Sequence, residues 1–143
     1  MIGVYIHVPF CRTLCPYCDF NRVRIDGAPP DAFVDALVRE IDAFDARREA
    51  ETVFLGGGTP SLLAPGQLDR ILEAVRRRFD LKAPEITLEA NPDDVTETLA
   101  DAWRATGVNR VSLGVQSFDD AALRYLGRRH DAETARRACR TVA

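Results

Sequence analysis

The sequence predicts an α/β fold, with about four parallel strands joined by crossover helices as the N-terminal part of a longer α/β barrel. Three observations predict it. Short apolar segments alternate with stretches of helical period, which is the β-loop-α order of a parallel sheet. Each strand is followed by a polar or glycine-rich segment, namely Cys11 to Cys18, Gly56 to Pro60, Glu89 to Pro92, and Gln116-Ser117. Those strand ends share one face of a parallel sheet, where sites form in such folds. Finally, the chain ends inside a helical pattern with no strand after it. Four parallel strands cannot close a barrel and would leave an open edge, so the chain is read as a fragment of a longer one. An independent four-stranded flavodoxin-like domain is the alternative.

Gly3 to Val8 reads as a buried strand ending at Pro9, because proline cannot continue a hydrogen-bonded ladder. A polar segment follows, and Asp31 opens an amphipathic helix with Phe33, Ala36, Leu37, Ile41 and Phe44 at helical spacing. Thr52 to Leu55 is the second strand, closed by Gly56-Gly57-Gly58-Thr59-Pro60. The second helix starts near Pro65 and places Leu68, Ile71, Leu72, Val75 and Phe79 on one stripe. Ile86 to Glu89 is the third strand, broken at Asn91-Pro92, and Thr96 opens a helix that stops at Gly107, a C-cap position. Arg110 to Gln116 is the fourth strand, Asp119 to Leu126 a short helix, and a last helical pattern begins near Asp131.

With 46% apolar and 29% charged residues the chain has the composition of a globular domain. Its 143 residues are enough for a hydrophobic core. A net charge of -3 argues against nucleic acid or an anionic membrane surface as the main partner. No apolar run reaches the roughly 20 residues of a transmembrane helix, and the N-terminus lacks the basic region of a secretory signal. A reducing, cytoplasmic setting is expected, where four cysteines are metal ligands or free thiols rather than disulfides.

Cys11, Cys15 and Cys18 place three thiolates in one loop, with gaps of three and two residues. Thiolates are soft ligands for iron or zinc. Three of them can wrap three corners of an iron–sulfur cubane and leave the fourth iron open. Zinc with His7 or Cys139 as fourth ligand, or free thiols, also fits the spacing. The glycine triplet lets backbone approach a ligand closely but fits neither the dinucleotide nor the Walker pattern. Glu89, flanked by apolar positions, needs a partner, and ribose hydroxyls suit it. Gln116 stands at the same place one strand later. Arg128, beside Arg129 and His130, suits a carboxylate, although an exposed basic patch has the same composition.

Tyr5-Ile6-His7-Val8-Pro9-Phe10-Cys11, the C-x3-C-x2-C loop, Gly56 to Pro60, and Gly114-Val115-Gln116-Ser117-Phe118 occur in one order. Together they resemble the radical S-adenosylmethionine superfamily, and within it the oxygen-independent coproporphyrinogen III oxidase family. The resemblance implies a partial (β/α)6 TIM-like barrel, of which residues 1–143 are the core domain, truncated before the remaining barrel units and a C-terminal region. It makes Cys11, Cys15 and Cys18 the ligands of a [4Fe-4S] cluster whose open iron is chelated by S-adenosylmethionine. Tyr5 matches a tyrosine near the cofactor. Gly57, Gly58 and Thr59 match the turn that receives its methionine amino end, and Glu89, Gln116 and Arg128 match polar residues that hold its ribose and methionine portions. In the family, an electron from the reduced cluster cleaves the sulfonium to give a 5′-deoxyadenosyl radical. No residue of this chain is assigned as catalytic.

One position departs from the oxidases, whose motif extends to a fourth cysteine where this chain has Phe20. That form, with Leu126-Gly127-Arg128-Arg129-His130, resembles the branch regarded as heme chaperones. The expectation is therefore a heme-binding protein that delivers heme to an acceptor hemoprotein, with an unidentified electron donor. Radical decarboxylation of coproporphyrinogen III is the alternative, and a zinc-bound structural domain a remote one. Neither His7 nor His130 is singled out as a heme ligand.

Overall fold

The computed structural model describes residues 2–44 and 48–143. Strand β1 (Ile2–Val8) ends at Pro9 as expected. The chain then forms a pairing that the sequence did not announce. Strand β2 (Phe10–Cys11) lies parallel to β3 (Val23–Arg24) and closes the base of the cysteine loop. The Val23 amide donates to the Pro9 carbonyl at 2.7 Å and the Ile25 amide to the Cys11 carbonyl at 2.9 Å.

Helix α1 (Asp31–Asp42) leads to β4 (Arg48–Gly57), α2 (Pro65–Arg78) and β5 (Phe79–Ala90). Two aromatic residues leave the helices the periodicity gave them. Phe44 lies beyond α1, and Phe79 opens β5 with extended backbone. Phe79 keeps helical spacing from Val75, but Arg76, Arg77 and Arg78 form the last turn of α2, where cations suit the negative end of the helix dipole. The two displaced rings pack on each other with centroids 5.5 Å apart.

Helix α3 (Glu97–Ala105) is capped by the Thr96 hydroxyl, which accepts from the Leu99 amide. Gly107 follows with φ of +98°. Strand β6 (Arg110–Leu113) stops three residues before the sequence pattern does, because the backbone turns out at Gly114. Helices α4 (Asp120–Tyr125) and α5 (Ala132–Val142) are capped by the Asp119 and Asp131 carboxylates.

The sheet order is β1-β4-β5-β6, parallel throughout. Strand order thus follows chain order, with none of the reversal that marks a doubly wound flavodoxin-like sheet. Helices α1, α2 and α3 pack in succession beside one another, as they do around a barrel. The core lies between sheet and helices, where Val8, Val53, Leu55, Leu68, Ile71 and Leu88 have no exposure. Each such side chain contributes about 1.5–3 kcal/mol on burial. This core holds the C-terminal ends of the strands in register. No helix among the described residues is long and apolar enough to cross a membrane.

Candidate functional site

The strand tips and the cysteine loop enclose a cavity of about 280 Å³. Cys11, Cys15 and Cys18 all line it, none in a disulfide. From β4 come Gly57 and, just beyond it, Gly58 and Thr59. From β5 come Glu89 and the following Asn91, and past β6 lie Gly114 and Gln116. Arg128 completes the wall. Every expected site residue except Tyr5 is thus brought to one place.

The glycines are there for contact. Gly57 has φ of +109°, and a Cβ on it would lie 2.5 Å from the His7 ring. A Cβ on Gly58 would fall 2.7 Å from the Phe10 carbonyl oxygen, and the Gly58 amide bonds the Val8 carbonyl at 2.8 Å. Only a bare backbone fits so close to β1 and the start of the cysteine loop.

Hydrogen bonds join two cysteines through the tips of the sheet. The Thr59 hydroxyl donates to Cys11 Sγ at 3.5 Å and accepts from Asn91 Nδ2 at 3.2 Å. The Asn91 amide oxygen accepts from Arg128 Nη2, while Arg128 Nη1 lies 3.6 Å from Cys15 Sγ and 3.3 Å from the Tyr17 hydroxyl. Arg22 bonds the carbonyls of Cys15 and Cys18. Arg12 pairs with buried Asp94, which also accepts from the Ser61 hydroxyl at 2.7 Å. Burial raises the Cys11 pKa, opposed by the Thr59 hydroxyl and the Arg22 charge. The free thiol therefore keeps its proton near neutrality until a metal displaces it.

Glu89 is half buried, and its Oε2 accepts from the Gly57 amide at 3.1 Å. Burial raises its pKa, with the Gly57 amide bond and the neighbouring His7 ring working against the rise. Among the described residues its carboxylate makes no other hydrogen bond, so acceptor capacity is left for a ligand.

Tyr5 does not line the cavity. It sits in register with Phe54, three positions before Gly57, which puts it about 10 Å below the strand tips at ~3.3 Å per residue. Its ring stacks on Phe54, and its hydroxyl lies 3.2 Å from His7 Nδ1. His7 Nε2 is 2.8 Å from the Asn21 carbonyl. A carbonyl only accepts, so Nε2 carries the proton and Nδ1 accepts from Tyr5. The Tyr5 hydroxyl thus leans on His7, which braces both Gly57 and the cysteine loop, and burial and the nearby Glu89 carboxylate raise the Tyr5 pKa.

Three thiols facing one cavity are the soft donors that an iron–sulfur cluster takes. Among the described residues, no three His, Cys, Asp or Glu side chains are arranged to hold a single metal ion. His7, the nearby candidate for a fourth zinc ligand, has both ring nitrogens engaged. Cys139 sits on α5, outside the cavity lining. Sequence reasoning had passed over Asn91, Arg22 and Asp94. Asn91 counted there as a strand breaker, and only its place at the tip of β5, level with the glycine turn, signals more.

Residues 5–143 match the Radical SAM superfamily. The chain is 44% identical to the heme chaperone HemW of Escherichia coli, an alignment covering 99% of this chain and 39% of that protein. It is 42% identical to the heme chaperone HemW of Lactococcus lactis, over 90% of this chain and 34% of that protein. The chain therefore spans little more than a third of the length of these relatives. Among solved structures, coproporphyrinogen III oxidase (HemN) from Escherichia coli superposes with a TM-score of 0.85 at 31% identity, covering 98% of this chain and 33% of that one. The four-stranded sheet has the fold of the corresponding part of that enzyme.

Proposed function

This chain belongs to the Radical SAM superfamily, and we propose that it is the cluster- and S-adenosylmethionine-binding core of a cytoplasmic heme chaperone. In this reading residues 1–143 are truncated before the remaining barrel units and a C-terminal region, and the whole protein binds heme and passes it to an acceptor hemoprotein. The observation that carries the reading is the convergence of three free thiols and a glycine-lined polar cradle on one cavity. The identity to two heme chaperones supports heme as the cargo.

Cys11, Cys15 and Cys18 would hold a [4Fe-4S] cluster. Gly57, Gly58 and Thr59 would offer backbone groups and a hydroxyl to the methionine end of S-adenosylmethionine, and Glu89, Gln116 and Arg128 would hold its polar remainder. Tyr5, whose hydroxyl contacts His7, would lie near the cofactor. When bound, the cluster supplies one electron at a time for cleavage of the sulfonium. The protein's own part is orientation and exclusion of water. Thr59 and Arg128 direct N–H and O–H groups at two of the sulfurs, and such bonds tune a cluster's potential. Arg22 fixes the loop carbonyls so that the thiols face inward. An unidentified donor would reduce the cluster.

A second reading, radical decarboxylation of coproporphyrinogen III, draws on the structural likeness to HemN. One experiment separates the two. The full-length protein, reconstituted anaerobically with reductant and S-adenosylmethionine, is titrated with heme while turnover of coproporphyrinogen III is followed. We expect stoichiometric heme binding without porphyrinogen oxidation. Oxidised product without heme binding would reverse the order, and a stable zinc complex with no iron uptake would end both.

A further inference from the structure

We propose that His130 is a positioning residue that sets Gln116 in the cavity by pinning the Val115 carbonyl. Gln116 carries φ of +66°, a left-handed conformation uncommon for any residue but glycine. Such a conformation persists where the surroundings over-determine it. Local bonds alone are weak guardians here. The Val115 amide donates to the Leu113 carbonyl at 2.9 Å and the Ser117 amide to the Val115 carbonyl at 2.8 Å, each spanning two residues, as in tight three-residue turns.

The anchor comes from farther along the chain. His130 is 5% exposed, and its Nε2 lies 3.0 Å from the Val115 carbonyl oxygen. That oxygen already accepts from Ser117, so His130 fills its remaining lone pair. The carbonyl cannot donate, which puts the ring proton on Nε2 and leaves Nδ1 an acceptor. Nδ1 is buried with no partner among the described residues. A ring held with one nitrogen unsatisfied is placed for its other nitrogen. Two residues earlier, Arg128 Nη2 bonds the Gly114 carbonyl at 2.7 Å. Two side chains from one short stretch thus hold consecutive carbonyls, and Gln116 is the next residue. Its side-chain amide nitrogen lies 3.6 Å from where a Gly114 Cβ would stand, so it folds back over the cavity wall beside Arg128 and Asn91. The stretch itself is fixed by α5, whose N-cap is the adjacent Asp131.

The ligand in this inference rests on the cofactor reading above, whereas the pinning of the turn does not. Two measurements keep them apart: equilibrium binding of S-adenosylmethionine to the full-length, cluster-loaded protein, and amide hydrogen exchange of the metal-free protein. His130→Leu should weaken binding about tenfold and speed exchange at Ser117, with amides of β4 and β5 unchanged. His130→Gln returns an N–H donor near the Nε2 position and should restore most of both. In a Gln116→Ala background, His130→Leu should weaken binding no further, because its effect passes through Gln116. Should His130→Leu not fold, His130→Asn, whose amide falls short of the carbonyl, gives the same comparison. Full additivity with Gln116→Ala, or unchanged Ser117 exchange, overturns the proposal. If the wild-type protein binds no S-adenosylmethionine, the cofactor reading fails and the exchange result alone decides whether His130 pins the turn.

Discussion

The cavity has two walls built by different means. The strand-tip wall stands on the core. Leu55, two residues before Gly57, and Leu88, three before Asn91, have no exposure, and β4 is paired on both sides. Its shape is set by register, which any folded copy of the chain must adopt. The cysteine loop has no such footing. Leu14, Tyr17 and Phe20 are 44%, 46% and 66% exposed, and beyond the short β2–β3 pair the loop is tied down by polar bonds from Arg22, Thr59, Arg128 and Asp94. The difference teaches which half is preformed. The sheet presents a finished cradle, whereas the loop would take part of its order from a group held by its thiols.

The sharpest break in this comparison is removal of a ligand. Cys15→Ala should take iron in the reconstituted protein from about four per chain to background. The thermal midpoint of the metal-free protein should barely move, because Cys15 is only partly buried and packs in no core. Iron uptake at full stoichiometry would show that the loop is not the metal-binding wall.

A tether should matter less, and in a different way. Asp94 is buried and holds both Ser61 and Arg12, the latter next to Cys11. In Asp94→Asn the amide can still accept from Ser61, but Arg12 loses its charged partner. Unfolding in denaturant should show a loss of about 1–3 kcal/mol, and the cysteines of the metal-free protein should react faster with a thiol reagent. Unchanged reactivity would mean that the loop does not depend on Asp94 for its place.

These two cases also show what could be read in advance. The strands and helices follow from apolar period, and the caps Thr96, Asp119 and Asp131 stand where the polar residues before each helix put them. The cradle was legible because strand tips of a parallel sheet must converge. The tethers were not. Asp94 and Arg12 are 82 residues apart and Arg128 and Cys15 are 113 apart, and no local period encodes such pairs. Phe79 misled because helical spacing continued one residue past the helix. Tyr5 stands on β1 three residues before its end, outside the cavity lining.

The smallest effect belongs to the preformed wall and is electrostatic. Burial raises the Glu89 pKa above its ordinary 4.5, against the Gly57 amide and the neighbouring His7 ring. The folded protein therefore keeps this proton to higher pH than the unfolded chain does. The contribution to stability is fully present below about pH 4.5 and is lost as pH rises through the folded value. Near neutrality the charged carboxylate is a standing cost that a ligand hydroxyl would offset. Glu89→Gln keeps an oxygen for the Gly57 amide and removes the titration. Relative to the variant, the wild-type protein should lose under ~1 kcal/mol across that window, since the group is only half buried. Asp94, also raised by burial, titrates in both proteins and cancels in the difference. His130 runs the other way, because burial lowers its pKa from 6.5, and its loss of stability comes as pH falls below that value, in both proteins alike. Parallel stability curves for wild type and Glu89→Gln would place Glu89 in free contact with water. The carboxylate would then not belong to a dry, preformed cradle, and the contrast between the two walls would narrow to the sheet beneath them.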